Sequence, residues 1–562
     1  MIDLKAKPFN LEDEQIKWVQ DMLNSMDDEK KIEQLFCPLL FSNDPGYLGM
    51  MVKKYNFGGL MFRPGKAREI KTAIEAVNAS SQTPLFLSAN LEDGGSGIAN
   101  EGTYVGRQML LAATGNKERA YQLGQICGKE GKAIGLNLTF SPIVDIDMNY
   151  TNPITNVRTY GDDSKVVHEM AAEYVRGLEE ANVMPTIKHF PGDGVDGRDQ
   201  HLVTSVNTLT LDAWEASFGS IYRPLIDSGA PTVMVGHIAM PAMEEFYTKE
   251  KCKKVIPATL SKNIVSGYLR KELNFNGLVI TDASPMVGLM AVSKREEAVP
   301  LTIENGCDMF LFTRDLEEDI QYMKDGYKNG LLSKKRLDEA VTRILALKAA
   351  RILRDKSAEK NQKQYPLELV GHPDHQLMAK QIADEGITLV KDNAKLLPIS
   401  PKKHKRVLLQ ILGGFDSNDR VYKHFESKLK SQGFEITKYI PETMETIFNH
   451  SQVRGFKEKY DLVIYIGNIE NASNQTVARI HWHTLFGAGN NLPWFAQEVP
   501  TLFISVGNPY HLYDVPMIQT YINAYCHAPT VIDAVLEKIL GKSPFKGRSP
   551  IDPYCGLWDA QL

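Results

Sequence analysis

Eight short apolar runs, most of them separated by helix-like segments, constrain this chain more than any other feature. They are QLFCPLLF from Gln34, GGLMF from Gly58, PLFLSAN from Pro84, LNLTFSPIVDI from Leu136, MPTIKHF from Met184, TVMVGHI from Thr232, GLVITDAS from Gly277 and CDMFLF from Cys307. Between them lie stretches such as KAREIKTAIEAVNAS and DSKVVHEMAAEYVRGLEE. Runs that are apolar on both faces and alternate with helices indicate a parallel sheet covered on both sides. Eight of them predict a (β/α)8 TIM-type barrel, with an open doubly wound sheet as the structural rival.

The helix DEAVTRILALKAARILRDK is followed by a polar stretch, SAEKNQKQYPLELVGHPDHQ, which reads as a linker. A second α/β unit then follows, with strand candidates GITLVKD, RVLLQIL, YDLVIYIGNI and PTLFISVGNPY. The predicted organisation is a barrel over 1–355, a linker over 356–376 and a smaller α/β sandwich with a mainly parallel sheet over 377–562. No internal repeat or low-complexity tract interrupts it.

Composition narrows the function. Hydrophobic residues make up 43% of the 562, enough for two substantial cores. Lys and Arg number 64 against 69 Asp and Glu, so no whole-protein field draws in nucleic acid or an acidic membrane. The six cysteines are scattered without a C-x-x-C, which suggests neither a zinc site nor a disulfide framework. The opening MIDLKAKPFNLEDEQ lacks a signal-peptide pattern, and no stretch approaches the apolar length of a membrane span. The expectation is a cytoplasmic protein with a small-molecule partner. Nothing in the sequence specifies an oligomeric state.

Most of the eight runs end in polar residues: Arg63, Asn90 and Glu92, Asp145 and Asp147, Lys188 and His189, His237, and Asp282. In a parallel barrel the C-terminal strand ends share one rim, where active sites lie. A single such residue reads as a cap or a satisfied loop polar. So many together are harder to dismiss, because desolvating unpaired charges is costly. The fifth run continues into KHFPGDGVDGRDQH, residues 188 to 201, whose glycines and Pro191 suit a turning loop. Asp199 and His201 are two residues apart and share a face if the segment is extended. A carboxylate beside an imidazole fixes its tautomer and raises its basicity, as a general acid/base needs. Taken alone, the same pair also fits a surface turn or a metal site. Asp282, delivered by a buried run, fits a nucleophile, a metal ligand or a binding group. With an acid/base opposite, it completes the pair of a retaining glycosidase.

These segments resemble glycoside hydrolase family 3, in its bacterial β-N-acetylglucosaminidase branch. GLNLTFSPIVDIDMNYTNPITNVRTYGDD is similar to the family's N-P-x-I-x-x-R-S-F-G segment. KHFPGDGVDGRDQH is similar to its K-H-F-P-G-x-G loop ending in D-S-H, and YLRKELNFNGLVITDAS to the segment bearing the catalytic aspartate. EGITLVKDNAKLLPI and FISVGNPYHLYDVP resemble the C-terminal sandwich of two-domain members. The resemblance implies Asp282 as nucleophile, His201 as general acid/base and Asp199 as the group that orients it. It implies Lys188, His189 and Arg158 as sugar-binding residues, and it points to Asn90, Glu92 and His237 in the same role. The implied reaction removes terminal β-linked N-acetylglucosamine with retention, without a metal or other cofactor.

The sequence departs from the family pattern at three places. Gln200 stands where serine usually separates the dyad, and Asp193 where a second histidine is usual. NLEDGG replaces D-x-E-G-G, with asparagine for aspartate and an apparent extra residue. A phosphorylase with the same residues is a close rival, because a neutral histidine would not repel incoming phosphate as a carboxylate base would. A metal-dependent barrel amidohydrolase and a non-catalytic sugar-binding protein are alternatives of another class. Among weaker signals, His481 to His483 read as a loop or strand face rather than a metal site, Trp494 as a buried anchor or a sugar-stacking ring, and Cys307 as a core residue. Asp162 and Asp163 read as caps of the next helix.

Overall fold

Each of the eight predicted runs carries one parallel strand, and together they close a ring. The structure is a computed structural model that describes residues 2–353, 365–414, 416–440, 453–469, 471–482, 484–485, 488–489 and 491–562. The barrel strands are β1 (Phe36–Cys37), β2 (Gly59–Met61), β3 (Phe86–Ala89), β4 (Leu138–Thr139), β5 (Thr186–Phe190), β6 (Thr232–Val235), β7 (Leu278–Thr281) and β8 (Phe310–Leu311). Ladders join β2 to β3, β3 to β4, β5 to β6, β6 to β7 and β1 to β8. Parallel bridges supply the remaining joints: Leu39 with Met61, Leu138 with Met184, Ile143 with Lys188, and Ile280 with Met309. The circuit is complete, so this unit is the (β/α)8 barrel rather than its open rival. The strands are buried throughout, as expected of a parallel sheet walled by helices.

The surrounding helices follow from spacing and caps. Ala67–Ser80 buries Ala67, Ile70, Ala73, Ile74 and Val77, a stripe at steps of three and four that turns one face inward. Ser164–Glu179 begins where the Asp163 carboxylate accepts from Lys165 N, the predicted cap. Asp162 instead accepts from Asp552 N. Cys307 is fully buried core.

The chain divides into two compact units. The first comprises 1–104, 120–149 and 163–376, and the second 105–119, 150–162 and 377–562. The second unit contains a six-stranded sheet of β9 (Thr388–Asp392), β10 (Arg406–Leu412), β11 (Glu435–Lys438), β12 (Leu462–Gly467), β13 (Thr501–Ser505) and β14 (Thr520–Asn523). Their order across the sheet is β9-β14-β13-β12-β10-β11. All pairs are parallel except β9 with β14. This is the mainly parallel α/β sandwich expected from the sequence.

One buried charge cluster stabilises the barrel near the start of β7. Asp308, fully buried, accepts from Arg270 at 2.5 Å, Arg336 at 2.5 Å, Arg343 at 3.4 Å and Val279 N at 2.9 Å. Burial pushes its carboxyl pKa up, but the three guanidiniums outweigh burial and hold it below the ordinary value. A depressed carboxylate contributes stability that is fully present above the unfolded value of about 4 and is lost as pH falls through the lowered native value. Removing one partner from a buried ionic cluster typically costs about 3–5 kcal/mol, so Asp308→Ala is expected to destabilise the barrel by that order. Urea unfolding at neutral pH checks this, and a variant as stable as the parent contradicts it.

Candidate active site

Five strand ends and one loop assemble the rim of the first unit. Asp282 directly follows β7. Its N–H donates to Val235 O of β6 at 2.8 Å, and its own Oδ1 accepts from Ala283 N at 2.7 Å. The main chain of Asp282 is therefore fixed to β6 and its carboxylate to Ala283 N–H, with the side chain 12% exposed. His189, on β5, brings Nε2 to 3.9 Å from Asp282 Oδ2. Asp145, just beyond β4, accepts from His189 N at 3.1 Å and lies 2.6 Å from His189 Nδ1. That contact fixes the ring so that Nε2 faces Asp282. Lys188 Nζ donates to Glu92 Oε1 at 2.7 Å, a pair buried beside the end of β3.

The loop after β5 carries the proton-transfer candidates. Gly192 and Gly194 adopt φ of +122° and +99°, and a Cβ on Gly194 would sit 1.9 Å from Ile146 O, so side chains are excluded there. Trp214 Nε1 donates to Pro191 O at 2.6 Å and Asn207 Nδ2 to Gly192 O at 3.1 Å, which anchors the base of the loop. Farther along, Asp199 Oδ1 accepts from His201 N at 2.9 Å and lies 2.6 Å from His201 Nδ1. Asp199 is buried, while the His201 side chain is 24% exposed. The imidazole thus has one nitrogen fixed by a carboxylate and the other left for chemistry. Main-chain bonds from Val287 N to His201 O and from Gly288 N to Gln200 O tie this segment to residues that closely follow Asp282.

Electrostatics keep Asp282 charged. Burial pushes its carboxyl pKa up, but His189, His237 and His201, together with Ala283 N–H, outweigh burial and hold it below the ordinary aspartate value. An ionised carboxylate in a shielded setting is what attack on an electrophilic carbon requires. His237 is shifted down, first by burial and then by His201 and His189, against the opposing pull of Asp282 and Ala283 O. Its Nε2 donates to Ala283 O at 3.0 Å, and its Nδ1 lies 2.9 Å from the Thr259 hydroxyl.

The structure brings most of the predicted site residues together, but not all. His189 approaches Asp282, Asp199 pairs with His201, and Lys188 pairs with Glu92. His237 is fully buried and both its nitrogens are used, so it braces the Asp282–Ala283 turn rather than offering a donor to a sugar. Asn90 sits half-buried at the end of β3. Arg158 belongs to the second unit, in the turn Asn156–Arg158, where its guanidinium donates to Ile154 O at 3.3 Å. Trp494 is 44% exposed and packs on Phe456 and Phe495. His483 lies outside the described residues. Among the described residues, no three His, Cys, Asp or Glu side chains form a metal ligand set. Sequence reasoning noticed Asp145 as a polar strand end but gave it no role. Its double grip on His189 depends on pairing between neighbouring strands, which spacing along one chain does not display.

Comparison with known proteins identifies the family. The family model described as "Glycosyl hydrolase family 3 N terminal domain" matches residues 28–347. The chain belongs to glycoside hydrolase family 3. This family 3 chain is 41% identical over 573 residues to a Cellulomonas fimi protein named beta-N-acetylglucosaminidase/beta-glucosidase, with both covered fully. It is also 41% identical to a solved beta-glucoside phosphorylase, BglX, bound to 2FGlc, with TM-score 0.92 and 99% of each chain covered. A family 3 beta-N-acetylglucosaminidase from Paenibacillus sp. str. FPU-7 shares the fold at 23% identity and TM-score 0.77, with 95% of this chain and 100% of that one covered.

A pH dependence follows from the placement of His189. Its attraction is the largest of those that oppose the burial of Asp282. His189→Ala is therefore expected to raise the Asp282 pKa and to move the acid limb of kcat/KM to higher pH. A pH–rate profile on an aryl glycoside measures it, and an unmoved acid limb contradicts it.

Proposed function

We propose that this family 3 enzyme removes terminal β-linked N-acetylglucosamine from small glycans, with retention of configuration. The observation that carries the proposal is the buried Asp282 carboxylate, 3.9 Å from His189 Nε2, with a carboxylate-backed His201 on the adjoining loop. In the first step Asp282 attacks the anomeric carbon while protonated His201 gives its Nε2 proton to the departing oxygen. Asp199 stabilises the imidazolium before transfer and holds its tautomer. In the second step neutral His201 takes a proton from the incoming nucleophile, and the Asp282 ester is cleaved. Lys188, His189, Glu92 and Asn90 are assigned to sugar binding, and His237 to bracing the nucleophile. The relative named beta-N-acetylglucosaminidase/beta-glucosidase supports this sugar class, with glucosides as a second class. No described helix is long and apolar enough to cross a membrane. A cytoplasmic role in recycling small cell-wall or chitin fragments belongs to the proposal.

A second reading has a specific basis. The solved structure at 41% identity is named a phosphorylase, and an imidazole base carries no negative charge to repel phosphate. Phosphate then replaces water at the glycosyl-enzyme and yields a sugar 1-phosphate.

An assay panel of aryl β-N-acetylglucosaminide and aryl β-glucoside, with and without phosphate, tests both readings. Sugar 1-phosphate with phosphate present selects phosphorolysis, and free sugar in both conditions selects hydrolysis. Asp282→Ala is expected to abolish turnover while sugar binding persists. His201→Ala is expected to slow alkyl glycosides about 10²-fold or more beyond aryl glycosides, which need little protonation. Equal losses on the two substrates would remove His201 from the acid role.

A further inference from the structure

Two departures of the loop from the family pattern touch each other. Gln200 Nε2 donates to Asp193 Oδ2 at 3.2 Å. The two residues are 1% and 2% exposed, so the contact is shielded from water. The other end of the same amide, Gln200 Oε1, accepts from His237 N at 2.8 Å. Asp193 N donates to Asp145 Oδ1 at 2.8 Å, on the carboxylate that orients His189. A hydrogen-bonded path therefore runs from Gln200 through Asp193 and Asp145 to His189, whose Nε2 lies 3.9 Å from Asp282 Oδ2. Gln200 is the residue between Asp199 and His201 in the chain.

We infer that Gln200 and Asp193 are a matched pair of positioning residues that latch the loop in the posture from which His201 serves Asp282. The inference rests on the acid/base reading of His201. Neither residue reacts with the sugar. Serine at 200 is too short to reach Asp193 and leaves a buried carboxylate short of one donor. Histidine at 193 removes the acceptor on which the Gln200 amide depends. Changing both together nearly conserves the summed side-chain volume and again pairs a donor with an acceptor, so the two positions should be energetically coupled. A loop latched before substrate arrives has less freedom to lose when the dyad is brought to the leaving group.

The test is a double-mutant cycle on the full chain with Gln200→Ser, Asp193→His and both combined, read in two ways. Hydrogen exchange over residues 196–206 is expected to quicken about tenfold in each single variant and to return within about threefold of the parent in the double. In parallel, kcat on alkyl β-N-acetylglucosaminides is expected to fall about tenfold further than on aryl ones in each single variant, with KM little changed, and to recover in the double. Gln200→Met keeps the bulk and removes both hydrogen bonds, and it replaces Gln200→Ser if that variant does not fold. Unchanged exchange in the Gln200 variants, or a double variant whose losses are those of the singles combined, overturns the latch. His201→Ala is the control for the underlying reading. If it slows alkyl and aryl substrates alike, the acid role has failed and the exchange cycle alone decides whether the latch exists.

Discussion

A carboxylate kept charged in a place that discourages charge is the constraint around which the rim is organised. Asp282 sits where burial favours the protonated form, and the surrounding imidazoles reverse that preference. The reversal requires His189 to present Nε2, which Asp145 secures by holding Nδ1. It also requires His237 to stay in place, which Thr259 and Ala283 O secure. Each demand passes to a neighbouring strand, so the charge on one oxygen is maintained by β4, β5, β6 and β7 together. The closed circuit of the barrel gives those strands fixed relations to one another.

Much of this was legible in the sequence because it follows from local pattern. The eight apolar runs became eight strands, and the polar residues at their ends share one rim. The Asp199–His201 pairing is real but not for the reason the spacing suggested: the segment is a turn rather than extended, closed by Leu202 N and Val203 N on Asp199 O and by His201 N on the Asp199 carboxylate. What escaped was contact between segments distant in the chain. His237 looked from the sequence like one more rim polar. Its inward turn depends on Thr259 and on the carbonyl after Asp282, neither of which its own run reveals. Gln200 and Asp193 looked like separate departures until the fold showed one bonded to the other. Arg158 marks a further boundary of sequence reasoning, since its segment clusters with the second unit although it precedes β5 in the chain.

The chemistry of the base bears on what the glycosyl-enzyme meets next. A carboxylate base presents charge directly to the incoming nucleophile. Under the proposed mechanism the base is His201, a ring whose negative partner Asp199 is buried behind it. Water and phosphate are therefore discriminated less by charge at the base than by the groups that line their approach.

The two halves of the machinery are built on parts of different permanence. Asp282 belongs to a strand end whose backbone is bonded to the next strand, and moving it would disturb the ring. The dyad belongs to a loop whose glycines free it from any regular element. Under the proposed mechanism such a loop can change, and the proton donor with it, while the carboxylate at the strand end stays where it is. A fold arranged in this way can change its leaving groups and acceptors without having to reinvent the bond it breaks.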